Sequence, residues 1–409
     1  MKIAVQKFGG TSLATADFRS RVCGIIQATK AENKGVVVVV SAIGRDNDPY
    51  ATDTFIRLIK ESNPDPSPRE LDFIMSCGEL ISGVLLVSQL SAMGIESRFL
   101  SGEQAGIITD GNYGNAHILY INPKNIIKCL ENNIVPVVAG FQGISEEGEL
   151  TTLGRGGSDT TASALGVALN AEIVDIFTDV EGVMTADPRI VKNARLLSAI
   201  TYNEICQLSR EGAKVVHPRA IEIAMQNGIP LRVRSTFSSS TGTLVTNQKQ
   251  EIGSSVKILG DNLITGIAHR SNVAQIKISN SGSRDKKGSE LKVFKSLALA
   301  NISVDFINVQ PEIIVFTVAA DSADRTIAIL ENIDIHPEVD RKCAKVAVVG
   351  AAITGVPGVM ARVVEALSEN EIPILQSGDS YTNIWCLVNK EHLELAVKAL
   401  HDKFELGNT

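Results

Sequence analysis

The stretch TTLGRGGSDTTAS, Thr151–Ser163, sets two adjacent glycines between Arg155 and Asp159, where a strand-like run gives way to a helix-like one. Alone it fits a nucleotide loop, a substrate clamp or a tight turn. A dinucleotide fingerprint needs GxGxxG, but Gly154, Gly156 and Asp159 give GxGxxD, an anion where the helix would meet a pyrophosphate. Arg155 offers a planar fork suited to a carboxylate, and Ser158 and Asp159 are candidate caps for the helix that follows. Gly156 and Gly157 would allow close backbone approach by an anionic reactant.

Working outward, β-branched runs alternate with helical stretches from the N-terminus to about Thr236. KIAVQKFGG, GVVVVVSAI, IVPVVAGFQG, AEIVDIFTD and IPLRVRST read as strands; SRVCGIIQATKAE, ELISGVLLVSQLSAMG and DTTASALGVALNA carry helical spacing of apolar residues. This βαβ pattern predicts an α/β fold, an open, mostly parallel sheet sandwiched by helices, with ligands beyond the carboxyl ends of the strands. Near residues 235–255 the composition turns to serine, threonine and glycine, which marks a boundary. Beyond it two segments repeat the order βαββα at a period of roughly 70 residues, predicting two α+β units as small sheets packed side by side. The expected division is 1–240, a linker 241–262, a first unit 263–340 and a second unit 341–409.

A chain of 409 residues is long enough for two or three domains, and its net charge of −7 argues against nucleic acid or an anionic membrane as the main partner. No run of eighteen apolar residues occurs, and the start, MKIAVQKFGG, reaches strand-like sequence at once, so the expectation is a cytoplasmic protein without a membrane span. The six cysteines are far apart, with no paired spacing for zinc and no disulfide framework, and no metal ligand set stands out. Cys77 reads as packing, not as a nucleophile.

Four motifs carry the chemistry. KFGGTS, Lys7–Ser12, ends the first strand; glycines at a strand-to-helix turn let N–H groups approach a phosphate, and the ammonium of Lys7 can neutralise a phosphoryl oxygen. SCGE, Ser76–Glu79, opens a predicted amphipathic helix, where Glu79 is either a dipole-capping residue or a carboxylate aimed at an ammonium. The opening stretch is the third. FTDVEGVMTADPR, Phe177–Arg189, follows a strand and sets Thr178 and Asp179 where doubly wound sheets bind ligands, with a second acid and a cation ten residues on. Lys214, His217 and Arg219 then begin another helix, His217 reading as a packed turn residue.

In this order, KFGGTS, VSAIG, SCGE, GFQG, TTLGRGGSDTTA, TDVEGVMTADPR and GAKVVHPRA resemble aspartate kinase along nearly the whole chain. The resemblance implies an amino-acid-kinase fold followed by two ACT modules, and transfer of the γ-phosphoryl of ATP, with magnesium, to the β-carboxylate of L-aspartate. By the same resemblance Lys7, Arg155 and Asp159 are catalytic, Lys7 stabilising the phosphoryl group and Asp159 positioning Lys7. Phe8, Gly9, Gly10, Thr178, Asp179, Met184, Arg189 and Lys214 match the nucleotide site. Ser41, Thr52, Glu79, Phe141, Arg155, Gly156, Gly157 and Ser158 match the aspartate site, with Glu79 on the α-ammonium and Arg155 on the α-carboxylate. An end-product amino acid (lysine, meso-diaminopimelate or threonine) is expected to inhibit by binding between ACT units of two subunits of a homodimer or higher homo-oligomer. Its expected contacts are Asp285, Gly288, Glu290, Gln376, Asn383 and Ile384.

The chain departs from the family pattern in three places. Many relatives have a tyrosine at Met184, the loop RDNDPYATD, Arg45–Asp53, is longer than the common form, and Lys287-Gly288 replaces a proline-glycine turn in the first unit. Competing readings are a kinase for glutamate, acetylglutamate or a nucleotide, and an amino-acid sensor whose catalytic half is dead. The intact Lys7, Arg155 and Asp159 argue against the sensor.

Overall fold

The computed structural model describes every residue except 214, 248–249, 253–254, 258–262, 280–288, 352, 354 and 408–409, and the backbone alone of 250–252, 255–257 and 289. Two compact units form, and the chain passes between them repeatedly. The first holds Met1–Val183, Leu196–Ser209 and Lys214–Leu259; the second holds Met184–Arg195, Arg210–Ala213 and Gly260–Thr409.

In the first unit the strands are β1 (Ile3–Phe8), β2 (Gly35–Val40), β3 (Ser97–Leu100), β4 (Ile107–Thr109), β5 (Ile118–Ile121), β6 (Val135–Ala139), β7 (Gln142–Ser145), β8 (Leu150–Thr152), β9 (Ile173–Thr178), β10 (Ala199–Ile200), β11 (Leu231–Ser235) and β12 (Thr243–Val245). Eight build one sheet in the order β10-β12-β11-β9-β1-β2-β6-β3, and its only antiparallel pair is β11 with β12. A smaller sheet runs β5-β4-β7-β8. A two-stranded pair, β13 (Gln250–Ile252) and β14 (Ser255–Lys257), follows.

The valine run of β2 shows why the sheet is sandwiched. All its residues are buried; Val36, Val38 and Val40 join a core with Val22, Ile26, Leu86 and Leu90 of the helices Ala16–Ala31 and Pro68–Ala92. Val37 and Val39 point to the opposite face, equally buried, where the helix Gly157–Ala168 packs. Because β1, β2, β6 and β9 are parallel, Lys7, Ser41, Phe141 and Thr178 all emerge at one end of the sheet. The 25-residue helix Pro68–Ala92 is long and apolar enough to cross a membrane by length and composition, a feature that a search for uninterrupted apolar runs overlooks. It packs on β2, β3, β6 and β8 and buries Asp72 and Glu79, as a core helix does.

The second unit carries β15 (Gly266–Ser279), β16 (Asp305–Val309), β17 (Ile313–Ala319), β18 (Glu338–Val349), β19 (Gln376–Ser380) and β20 (Asn383–Asn389), with the helices Ser289–Leu299, Ala323–Glu331, Val359–Ser368 and Leu393–Lys403. Both repeats have the expected βαββα order. The expectation of two separate small sheets is corrected: β15 and β18 pair antiparallel, fusing the repeats into one six-stranded sheet, β16-β17-β15-β18-β20-β19. Each repeat begins with a strand that would otherwise present an open edge, and pairing the two hides both. The helices of each repeat keep their own core, around Ile276, Leu297 and Phe316 in the first and around Val346, Leu367 and Leu400 in the second.

Candidate active site

β1 ends in Lys7, whose Nζ lies 2.7 Å from Asp159 Oδ1, both side chains only 12% exposed. Asp159 stands in the first turn of the helix Gly157–Ala168, but the cap residue is Gly156, in left-handed backbone at φ 70°, and no side chain caps the helix. Asp159 therefore spends its carboxylate on Lys7 and on the backbone N–H of His217, which donates to Oδ2 at 3.3 Å. His217 opens the helix Pro218–Asn227, and its Nδ1 accepts from the Arg219 N–H at 3.4 Å. Burial pushes the ring below the ordinary histidine value, so a neutral, packed turn residue is what forms. A Cβ on Gly156 would lie 2.2 Å from the His217 ring, which fixes glycine there on steric as well as conformational grounds.

Glu79 overturns part of the sequence reading. The helix that carries it begins at Pro68, so Glu79 lies mid-helix and cannot cap it. The amphipathic run starting at SCGE is only the apolar half of a longer helix whose start is marked by Ser67 accepting from the Glu70 N–H. Glu79 is 2% exposed; Oε1 accepts from the Ala42 N–H at 2.9 Å, and Oε2 has no hydrogen-bond partner among the described residues. Burial pushes its carboxyl up to about 8, against the pull of the Ala42 N–H.

Around these two carboxylates lies a cleft of about 550 Å³ lined by Lys7, Gly10, Ser41, Thr52, Glu79, Phe141, Arg155, Gly156, Gly157, Ser158 and Asp159, a size that suits a small metabolite. Arg155 is exposed and takes no ion pair among the described residues. Phe141 holds φ 69°, rare for a residue with a side chain; it is over-determined by its N–H donating to Thr161 Oγ1 at 3.1 Å and its carbonyl accepting from the Leu153 N–H at 2.8 Å. Thr52 is the first residue of the helix Thr52–Ser62 and brings Asp53 to the wall beside it.

At the ends of β1 and β9, Gly9 N–H donates to the Phe177 carbonyl at 3.2 Å, and Phe8 is fully buried, stacked on Phe177. Thr178 Oγ1 donates to Asp179 Oδ1 at 3.0 Å, while the other Asp179 oxygen is ion-paired with Arg45. Arg45 also reaches Thr11 Oγ1 at 3.1 Å and lines the cleft, a cation that sequence reading missed because VSAIG was read only as far as Gly44. Ala42, whose backbone N–H fixes Glu79, was missed for a different reason: a backbone donor leaves no mark in the residue code.

Met184 and Arg189 belong to the second unit, where Arg189 is 87% exposed and holds Asp187 through Nη2 at 2.6 Å. Lys214, Asp285 and Gly288 lie outside the described residues. Glu290 sits in the first turn of the helix Ser289–Leu299. Gln376 begins β19, and Asn383 and Ile384, both buried, begin β20. Among the described residues no group of three or more His, Cys, Asp or Glu could hold a metal.

The sheet and the cleft at its carboxyl edge define an amino acid kinase: the sequence pattern of the Amino acid kinase family matches residues 2–235, and that of the ACT domain matches residues 338–402. Aspartokinase 1 of Bacillus subtilis (strain 168) is 51% identical over 408 residues, covering 100% of both chains. Two solved structures of E. coli aspartokinase III, each 27% identical, cover 98% of this chain and 99% of theirs: the complex with aspartate and ADP at TM-score 0.80 and that with lysine and aspartate at TM-score 0.76. The chain belongs to the aspartokinases, ATP-dependent kinases of the amino acid kinase family with ACT modules.

Proposed function

We propose that the cleft transfers the γ-phosphoryl of ATP to the β-carboxylate of L-aspartate, yielding 4-phospho-L-aspartate. The observation that carries this is the buried Glu79: a carboxylate oxygen without a partner, in a cleft that also presents a free guanidinium at Arg155, complements an α-amino acid. Glu79 holds the α-ammonium and Arg155 the α-carboxylate, with Ser41, Thr52, Phe141, Gly156, Gly157 and Ser158 forming the walls. The substrate's own side chain, with a reference pKa of about 3.9, is already ionised at neutral pH, so the reaction needs no general base. It needs two anions aligned and the charge on the moving phosphoryl neutralised.

Lys7 does that, held by Asp159, while Gly9 and Gly10 line the phosphates. Phe8, Thr178, Asp179, Met184, Arg189 and Lys214 complete the nucleotide side. Magnesium bound with the nucleotide would supply further neutralisation of the phosphates.

Residues 1–240 act as the kinase domain, 241–262 as a linker, and 263–340 and 341–409 as ACT modules. An end-product amino acid, lysine, meso-diaminopimelate or threonine, binds at Asp285, Gly288, Glu290, Gln376, Asn383 and Ile384 and inhibits. The open edges β16 and β19, with Ile307 and Val309 exposed on the former, suit pairing between subunits of a homo-oligomer. The protein works in the cytoplasm.

The test is a substrate panel read by ADP release, with hydroxylamine present to trap an acyl phosphate. Aspartate should give both ADP and hydroxamate. Turnover with glutamate, acetylglutamate or a nucleoside monophosphate in its place, or undiminished turnover in Lys7→Ala, would refute the assignment.

A further inference from the structure

Asp72 is a fully buried carboxylate that the proposed chemistry does not use. It has no cationic partner among the described residues. Oδ2 accepts from the Thr152 N–H at 2.7 Å and from the Gly114 N–H at 3.0 Å, and Oδ1 accepts from Thr152 Oγ1 at 2.8 Å. Burial pushes its carboxyl up while these three donors pull it back.

What the three bonds connect is specific. Asp72 stands seven residues before Glu79 on one helix, two turns away and on the same face. Thr152 ends β8, three residues before Arg155. Gly114 lines the cleft at φ 75°, and its carbonyl would lie 2.9 Å from a Cβ on Gly154, so the two loops touch at the residue before Arg155. Arg219 joins the same pair of loops, donating to the Leu153 carbonyl at 2.7 Å and the Ala116 carbonyl at 2.9 Å.

We propose that Asp72 is a positioning residue for the amino-acid substrate, tying the helix that bears Glu79 to the loop that bears Arg155 and to the Gly114 loop that touches it, so that the ammonium and carboxylate subsites keep a fixed separation. The inference rests on Glu79 and Arg155 holding aspartate. An ionised carboxylate suits this role because it accepts from all three donors at once; an amide has one oxygen, and turns an N–H₂ toward donors.

The test compares Asp72→Asn, Thr152→Val and Thr152→Ser with the wild-type chain, measuring KM for aspartate and for ATP, kcat and thermal midpoint. Asp72→Asn should raise the aspartate KM by about tenfold or more while leaving the ATP KM within about twofold. Thr152→Val, which loses only the hydroxyl, should raise it by about threefold, and Thr152→Ser should restore it. If Asp72→Asn does not fold, the valine and serine pair decides. An aspartate KM unchanged beside a lowered thermal midpoint, or equal rises in both KM values, overturns the positioning role. Wild-type protein that does not phosphorylate aspartate would instead overturn the reading of the site itself.

Discussion

At the residue scale, Arg155 and Glu79 would divide the proposed binding of aspartate by opposite means. Arg155 is exposed and always charged, so it contributes a fork of donors at little desolvation cost, whereas Glu79 is buried and is ionised only when something offsets its burial. Arg155→Ala should therefore raise the aspartate KM by about ten- to a hundredfold, the worth of charge-assisted hydrogen bonds of about 1.5–3 kcal/mol, with a far smaller effect on the ATP KM. Equal damage to both in steady-state kinetics would move Arg155 to the nucleotide side. Glu79 predicts a pH dependence. With its carboxyl pushed up to about 8 from 4.5, the free protein holds it protonated through neutral pH, and the α-ammonium must displace that proton. kcat/KM for aspartate should climb as pH rises toward about 8 and level off above it, and Glu79→Gln should abolish that limb. The stability sign is opposite: the folded pKa is raised, so the stabilisation from the buried neutral acid is complete below 4.5 and is lost as pH rises through about 8. A profile flat from pH 6 to 9, roughly, in the wild-type chain would contradict this account of Glu79.

At the element scale, the joint between β1 and the short helix Gly10–Leu13 is a tight part of the cleft, closed by backbone. A Cβ on Gly10 would come within 2.4 Å of the Gly44 carbonyl and 2.6 Å of the Ala42 carbonyl, backbone atoms that cannot swing aside. Gly10→Ala must push apart the loops following β1 and β2, an overpacking of about 1–3 kcal/mol. Since Ala42 also fixes Glu79, the displacement reaches the aspartate side as well. The expected outcome is a lowered thermal midpoint together with a rise in both KM values; a variant with wild-type kinetics would show that the joint does not set the cleft. This joint was legible in sequence as a strand-to-helix turn, since two glycines follow an apolar strand there. β2 and β6 were legible because parallel strands covered on both faces read as unbroken apolar runs, whereas β11 alternates Leu231 and Val233 with Arg232 and Arg234. The position of Glu79 was not. Its helix begins with Pro68, Arg69 and Glu70, which carry no apolar signal, and the short group Leu71, Phe73, Ile74 and Met75 was not joined to the longer pattern beyond Glu79. The fusion of the two repeats into one sheet was also hidden, since which strand edges meet is a tertiary choice that alternation within a strand does not encode.

At the scale of the whole molecule, the second unit sets charged and polar groups in a well-packed interior, and this bears on how an amino acid would act there. Lys345 on β18 is 4% exposed; its Nζ lies 2.6 Å from Glu211, 3.1 Å from Asp305 and over the Phe306 ring. Asn383 donates to Glu211 at 3.4 Å, Gln275 donates to Gln376 at 2.9 Å, and Gln376 donates to the Phe306 carbonyl at 2.6 Å. Two of the proposed effector contacts, Gln376 and Asn383, thus already belong to one network with a buried ion pair, and a ligand that bonds to them must exchange those partners. Such exchange carries a desolvation cost, so discrimination among amino acids should be sharp. Of lysine, meso-diaminopimelate and threonine, those that inhibit should also raise the thermal midpoint, by the equivalent of about 2.7 kcal/mol at a hundred times the dissociation constant. Asn383→Ala should raise the concentration for half-inhibition by about tenfold or more, the cost of one hydrogen bond to a charged group. The decisive measurement is inhibition and thermal shift on the same preparation, each amino acid tested singly and in pairs at millimolar concentration. Full activity and an unmoved midpoint with all three would remove end-product control from the account while leaving the phosphoryl transfer untouched.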